Sequence, residues 1–109
     1  MNLTEATQLI NTKYPTYQRT NDVVEIQTNK LLDYNNYYYI ALTTLNGKLI
    51  LTDIAETANI LNDITENCWK KLCSKHNIQF NDWHLECEFQ SLKDLDNFIS
   101  LLDEASSVE

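Results

Sequence analysis

The sequence predicts an α+β fold, with helices packed on a mostly antiparallel sheet of about four strands. Three observations lead there. Asn46-Gly47 stands between two β-rich runs, "YYYIALTTL" and "KLILT", which is the strongest short-range hairpin signature because both turn positions need positive φ. "WHLECEF" alternates apolar and polar residues at the period of a half-buried strand. Both ends of the chain carry apolar residues at helical spacing behind a capping residue, "NLTE" at one end and "SLKD" at the other.

In chain order, the Asn2 to Glu5 spacing suits a capping box, and Leu3, Ala6, Leu9, Ile10 and Lys13 form one stripe up to about Tyr14, before Pro15 ends the helix. A strand is expected from Val23 to Thr28, with Val24 and Ile26 on one face and Val23, Glu25 and Gln27 on the other. "NKLLDYNN" reads as loop. The hairpin strands are expected over Tyr37–Leu45 and Lys48–Thr52. Tyr38 is buried there with Ile40 and Leu42, or else Tyr37 with Tyr39 and Ala41. Two helices follow, "DIAETANIL" and "TENCWKKLCSKHN", with a break at Asn62-Asp63 and Asn77 as terminator. Asp53, three residues before Glu56, is expected to cap the first of them. A strand then points Trp83, Leu85, Cys87 and Phe89 inward and His84, Glu86 and Glu88 outward, with a short piece over Ile78–Phe80 as a further strand candidate. The last helix opens at Ser91 with Asp94 three residues on, and Leu92, Leu95, Phe98, Ile99 and Leu102 form its apolar stripe.

A chain of 109 residues holds one core, so residues 1–109 are expected to form a single domain. The 43% apolar content and 22% charge are those of a globular protein. No run reaches the roughly 20 apolar residues of a membrane span. The start, "MNLTEATQLINTKY", lacks the basic-then-apolar pattern of a secretion signal. Cys68, Cys73 and Cys87 are three cysteines without a disulfide-scaffold spacing. A cytoplasmic protein with free thiols is expected. With one Gly and one Pro, there is no Gly-rich phosphate loop and no nucleophile elbow.

The net charge of −8 is unevenly spread. Residues 1–80 carry eight acids against seven bases, whereas residues 81–109 carry Asp82, Glu86, Glu88, Asp94, Asp96, Asp103, Glu104 and Glu109 against Lys93 alone. Such a field repels phosphate backbones and draws basic surfaces, so direct nucleic-acid binding is not expected.

Three constellations carry chemistry on paper. Cys68, Cys73, His76, His84 and Cys87 are zinc-ligand types within twenty positions, but Cys68 and Cys73 are five apart, and His84 and Cys87 fall on opposite strand faces, so no metal is assigned. Cys73 with His76 has the spacing of a nucleophile pair but no orienting third group. Glu25, Asp33 and Asp53 would be the acids of a metal-dependent hydrolase or nuclease, yet no Glu-x-Lys follows Asp53 to orient water. No catalytic residue and no cofactor is assigned.

"VEIQTNKLLDYNNYYYIAL", "NGKLILTDIAETANIL", "LCSKHNIQFNDWHLECEF" and "DLDNFISLLDEAS" together resemble the DUF1828 family of small bacterial and phage-associated domains. The resemblance runs from about Val24 to Ala105, with Leu51-Thr52-Asp53 its most specific segment. Where that family has Leu-Thr-Asp-Asp-Gly this chain has Leu51-Thr52-Asp53-Ile54-Ala55, and where it has Thr-Pro-Phe this chain has Thr28-Asn29-Lys30. The resemblance implies no fixed activity; it implies a setting around mobile elements and a defence or counter-defence role. The expectation is therefore a non-enzymatic protein-binding module of phage or mobile-element type, in its sharpest form an anti-CRISPR-like inhibitor. It would dock an acidic C-terminal face on a basic, nucleic-acid-handling partner. Glu86, Glu88, Asp94, Asp96, Asp103 and Glu104 would steer, and Tyr37 and Tyr39 would anchor. A homodimer formed through the hairpin edge is the other assembly to test.

Overall fold

The computed structural model describes residues 1–107, so Glu109 of the C-terminal acids lies outside the described residues. The elements are α1 (Leu3–Asn11), β1 (Thr16–Thr20), β2 (Val23–Ile26), β3 (Ile40–Leu45), β4 (Lys48–Thr52), α2 (Glu56–Ile60), α3 (Glu66–Lys75), β5 (Gln79–Asn81), β6 (His84–Glu88) and α4 (Leu92–Ser106). The strands form one sheet in the order β1-β2-β3-β4-β6-β5, with every neighbouring pair antiparallel. The α+β class and both terminal helices agree with the sequence reading, but the sheet has six strands instead of about four.

The added strands are its two edges. β1, "TYQRT", is polar and mostly exposed, so it carries no apolar alternation to announce it. β5 is three residues long and overlaps the short piece expected at Ile78–Phe80. The hairpin β3–β4 lies at the centre of the sheet, where β2 and β6 occupy both of its edges. Neither hairpin edge is therefore open for the homodimer considered above.

Local chemistry explains most boundaries. Asn2 Oδ1 accepts from the Glu5 N–H at 2.8 Å and Glu5 Oε1 from the Asn2 N–H at 3.0 Å, closing the capping box of α1. Asn77, at φ +58°, ends α3 in a Schellman motif: the Ile78 N–H reaches Cys73 O at 2.9 Å and the Asn77 N–H reaches Ser74 O at 3.4 Å. At α4 the Asp94 carboxylate accepts from the N–H groups of Gln90 (2.8 Å) and Ser91 (3.0 Å). β3 begins three residues later than expected because Leu31–Tyr37 belongs to an irregular hairpin, held by the Tyr38 N–H to Lys30 O at 2.9 Å and the Leu32 N–H to Asn36 O at 2.7 Å.

One face of the sheet is covered and the other is not. Val24, Ile26, Ile40, Leu42, Leu49, Leu51, Leu85 and Phe89 point to a single core cluster shared with Ala6 and Ile10 of α1, Trp69 of α3, and Leu95, Phe98, Leu101 and Leu102 of α4. The register places Glu25 beside Ala41, Thr43 beside Ile50, and Glu86 and Glu88 beside Thr52 and Ile50, all on the outer face. Ala41 is fully buried yet stands apart from the core cluster, as a small side chain between outer-face neighbours does.

Trp83 departs from the alternation that would turn it inward with Leu85, Cys87 and Phe89. It occupies, with Asp82, a two-residue turn at positive φ between the paired Asn81 and His84, and this lifts it out of the strand to 43% exposure. Among the described residues no helix is long and apolar enough to cross a membrane.

The Asn46-Gly47 turn gives the first test. Gly47 sits at φ +78° with no atom within 4 Å of where a Cβ would stand. Gly47→Ala therefore costs only the left-handed conformational penalty, about 1 kcal/mol. Urea unfolding should show a lower midpoint with an unchanged m-value.

Candidate functional site

Asp53 is the residue where strand, loop and helix meet. It follows the last residue of β4 and is fully buried. Its N–H donates to Leu85 O at 3.2 Å, continuing the β4–β6 ladder by one rung. The return bond goes to the side chain, because the Leu85 N–H donates to Asp53 Oδ1 at 2.9 Å. The same oxygen accepts from the Ala55 N–H at 3.0 Å, and Oδ2 accepts from the Thr57 N–H at 3.2 Å. Burial pushes the carboxyl above its ordinary 3.8, and these N–H donors pull it partly back.

The expected N-cap role does not hold: Ala55 is the N-cap of α2, no capping box with Glu56 forms, and Asp53 serves the first turn of the helix from two residues further back. Ile54 (φ +51°) and Ala55 (φ +62°) intervene in the left-handed conformation, and the carboxylate reaches over them to Thr57. A β-branched residue at positive φ is strained. The bonds from Ala55 and Thr57 hold that loop in place.

The three acids of the hydrolase reading do not form a site. Glu25 lies on the outer face and takes Arg19 Nη2 at 3.0 and 3.1 Å. Asp33 turns its own loop, accepting from the N–H groups of Asn35 (2.8 Å) and Asn36 (2.9 Å). Those bonds, with two from the Asn36 side-chain amide at 3.0 and 3.2 Å, hold its carboxyl below the usual range. Asp53 is spent on backbone donors. Among the described residues no three His, Cys, Asp or Glu side chains converge in a group that could hold a metal ion.

The cysteine pairings fare no better as chemistry. Burial pushes the Cys73 thiol up to about 12, with the charge of Asp53 adding to it, and burial followed by Asp94 and Glu86 does the same to Cys87. A thiol so shifted is not a nucleophile near neutrality. His76 closes the end of α3 and lies 3.6 Å from Glu104 Oε2.

The acidic C-terminal face divides into two surfaces. Glu86 and Glu88 point outward from β6, whereas α4 packs on the inner side of the same sheet, so the acids of strand and helix face opposite directions. On α4 each acid has a partner. Asp94 caps the helix; Asp96 takes Lys13 at 2.6 Å; Asp103 takes Lys30 at 3.1 Å and the Tyr38 hydroxyl; and Glu104 takes Lys75 at 2.5 Å, which holds Glu104 below its usual pKa. Such exposed pairs add little stability, but they neutralise the field locally. On β6, Glu86 accepts from Asn81 Nδ2 at 3.0 Å, and Glu88 is 4.0 Å from Lys48.

The tyrosines resolve into two sets. Tyr38 is buried with Ile40 and Leu42, and burial, then its bond to Asp103, raises its pKa to about 12. Tyr37, 64% exposed, and Tyr39 line a groove of about 430 Å³ with Glu25, Gln27, Thr28 and Asn29. Arg19 adjoins it, paired with Glu25 and 5.0 Å from the Tyr17 ring centroid. Arg19 was not legible as a site residue because its strand was not.

Comparison with family models, with curated proteins and with solved structures found no match to this chain.

Three outcomes are expected. Asp53→Ala, which orphans the buried N–H groups of Leu85 and Thr57, lowers stability by about 3 kcal/mol. Because the folded pKa of Asp53 lies above the unfolded 3.8, its contribution is greatest in acid and falls as pH rises through the folded value. Urea unfolding should therefore show wild type losing ground to Asp53→Asn as pH rises. Iodoacetamide near neutral pH should leave Cys73 and Cys87 unmodified until the chain unfolds, as peptide mass mapping would show.

Proposed function

We propose that the protein is a non-enzymatic binding module of phage or mobile-element type that docks on a basic protein through the outer face of its sheet. The uncovered outer face carries this reading. It presents Glu86 and Glu88 at one end and the Tyr37–Tyr39 groove at the other, and all of the helical packing lies on the opposite side. Tyrosines supply contact area at low entropic cost, and carboxylates on the same face steer and orient a cationic partner.

The helix acids enter this reading differently. Asp94, Asp96, Asp103 and Glu104 are engaged within the fold, so they contribute to the long-range field of a chain of net charge −8 and not to contact. The partner is a basic nucleic-acid-handling protein, in the sharpest form a CRISPR effector that the module inhibits in the cytoplasm. The same field disfavours direct contact with nucleic acid. The resemblance to a phage-associated family supports the setting.

Affinity capture from bacterial lysate, followed by titration of the recovered partner, tests this proposal. Glu86→Lys with Glu88→Lys, and separately Tyr37→Ala with Tyr39→Ala, should each weaken binding by about tenfold, or about 1.4 kcal/mol. Asp96→Lys with Glu104→Lys should leave contact affinity nearly unchanged. The reverse pattern would move the interface to α4 and reject the outer face.

A further inference from the structure

The tip of the β5–β6 hairpin is built at a cost that the fold does not require. Asn81 and His84 close a two-residue turn whose members, Asp82 (φ +50°) and Trp83 (φ +64°), are both left-handed. Asp tolerates that conformation, whereas the second position ordinarily takes Gly, and a bulky aromatic there is an outlier. Core packing accounts for only part of the indole. Trp69 is fully buried, Phe80 stacks on it at 6.3 Å, and Trp83 meets Phe80 edge-on at 5.4 Å and stays 43% exposed. The aromatic stack thus ends at Trp83, which packs by one edge and leaves much of its ring to solvent.

Beside the indole a groove of about 420 Å³ runs between the hairpin and α3, lined by Glu66, Lys70, Phe80, Asn81, Asp82 and Trp83. Lys70 pairs with Glu66 at 3.2 Å. The Asp82 carboxylate has no cationic partner among the described residues. The groove therefore offers an aromatic wall and one uncompensated negative charge.

We propose that this tip is a recognition site for a guanidinium group, an arginine side chain presented by a basic partner protein. Guanidinium is planar and weakly hydrated, stacks on an indole, and forms paired hydrogen bonds to a carboxylate. A lysine ammonium is compact and more strongly hydrated, so it gains less from the ring. The site uses none of the residues of the outer-face reading, so each can fail without the other.

Titration with a hexa-arginine peptide, followed by the indole N–H resonances of Trp83 and Trp69, tests the assignment. The Trp83 signal should move saturably while that of buried Trp69 stays in place. Hexa-lysine should bind about fivefold more weakly, since a stacking cation is what the ring distinguishes. Trp83→Gly should lose about tenfold in affinity while its thermal midpoint holds or rises, because glycine suits the turn. Asp82→Asn, which keeps the left-handed tolerance, should lose several-fold. Equal affinity for the two peptides, full binding by folded Trp83→Gly, or an unchanged affinity in Asp82→Asn overturns the proposal.

Discussion

The structure depends on one buried carboxylate. Asp53 sits where β4 ends, and its side chain supplies the hydrogen-bond acceptor that the ladder would otherwise take from its own backbone carbonyl, which accepts from the Glu56 N–H instead. That substitution lets the chain leave the sheet at once and still keep β6 in register. The same two oxygens fold the Ile54-Ala55 loop and start α2. A buried charge is expensive, and three backbone donors offset much of the cost. What results is a joint in which strand pairing, loop conformation and helix start depend on each other.

Charge shows how far sequence position can mislead about surface. Along the chain the acids accumulate after residue 81, while most of the bases precede it. In space Lys13, Lys30, Lys48 and Lys75 each reach an acid of that C-terminal stretch. The helix acids are therefore engaged, and of this C-terminal stretch Glu86 and Glu88 of β6 are the acids directed to the open side of the sheet.

Much of the fold was legible wherever a local rule had no competitor. The capping box at Asn2, the Asn46-Gly47 turn, the Asn77 terminator and the apolar stripe of α4 depend on residues within a few positions of each other, and all are observed. The edge strand β1 was not legible, since it buries almost nothing and leaves no periodic trace, whereas β5 overlaps the short piece expected at Ile78–Phe80. Trp83 misled because it continues an alternating pattern that the turn interrupts, and no Gly marks that turn. Of the candidate site, the outward direction of Glu86 and Glu88 followed from strand parity. The position of α4 on the far side of the sheet depends on long-range packing that no local pattern records, and the arrival of Arg19 beside Glu25 depends on the pairing of β1 with β2, which the polar sequence of β1 does not announce.

The strand order also dictates a sequence of events on the ribosome. β1 to β4 are neighbours in both chain and sheet, so this meander pairs as fast as it emerges. β6 is different, because it adds to the free side of β4 only after α2, α3 and β5 have been made. During that interval β4 presents an unpaired edge with Leu49 and Leu51 beside it, which is a template for pairing with another nascent chain. The arrival of residues 84–88 closes that window, so translation speed through the stretch between β4 and β6 sets how long the half-made sheet stays vulnerable to aggregation.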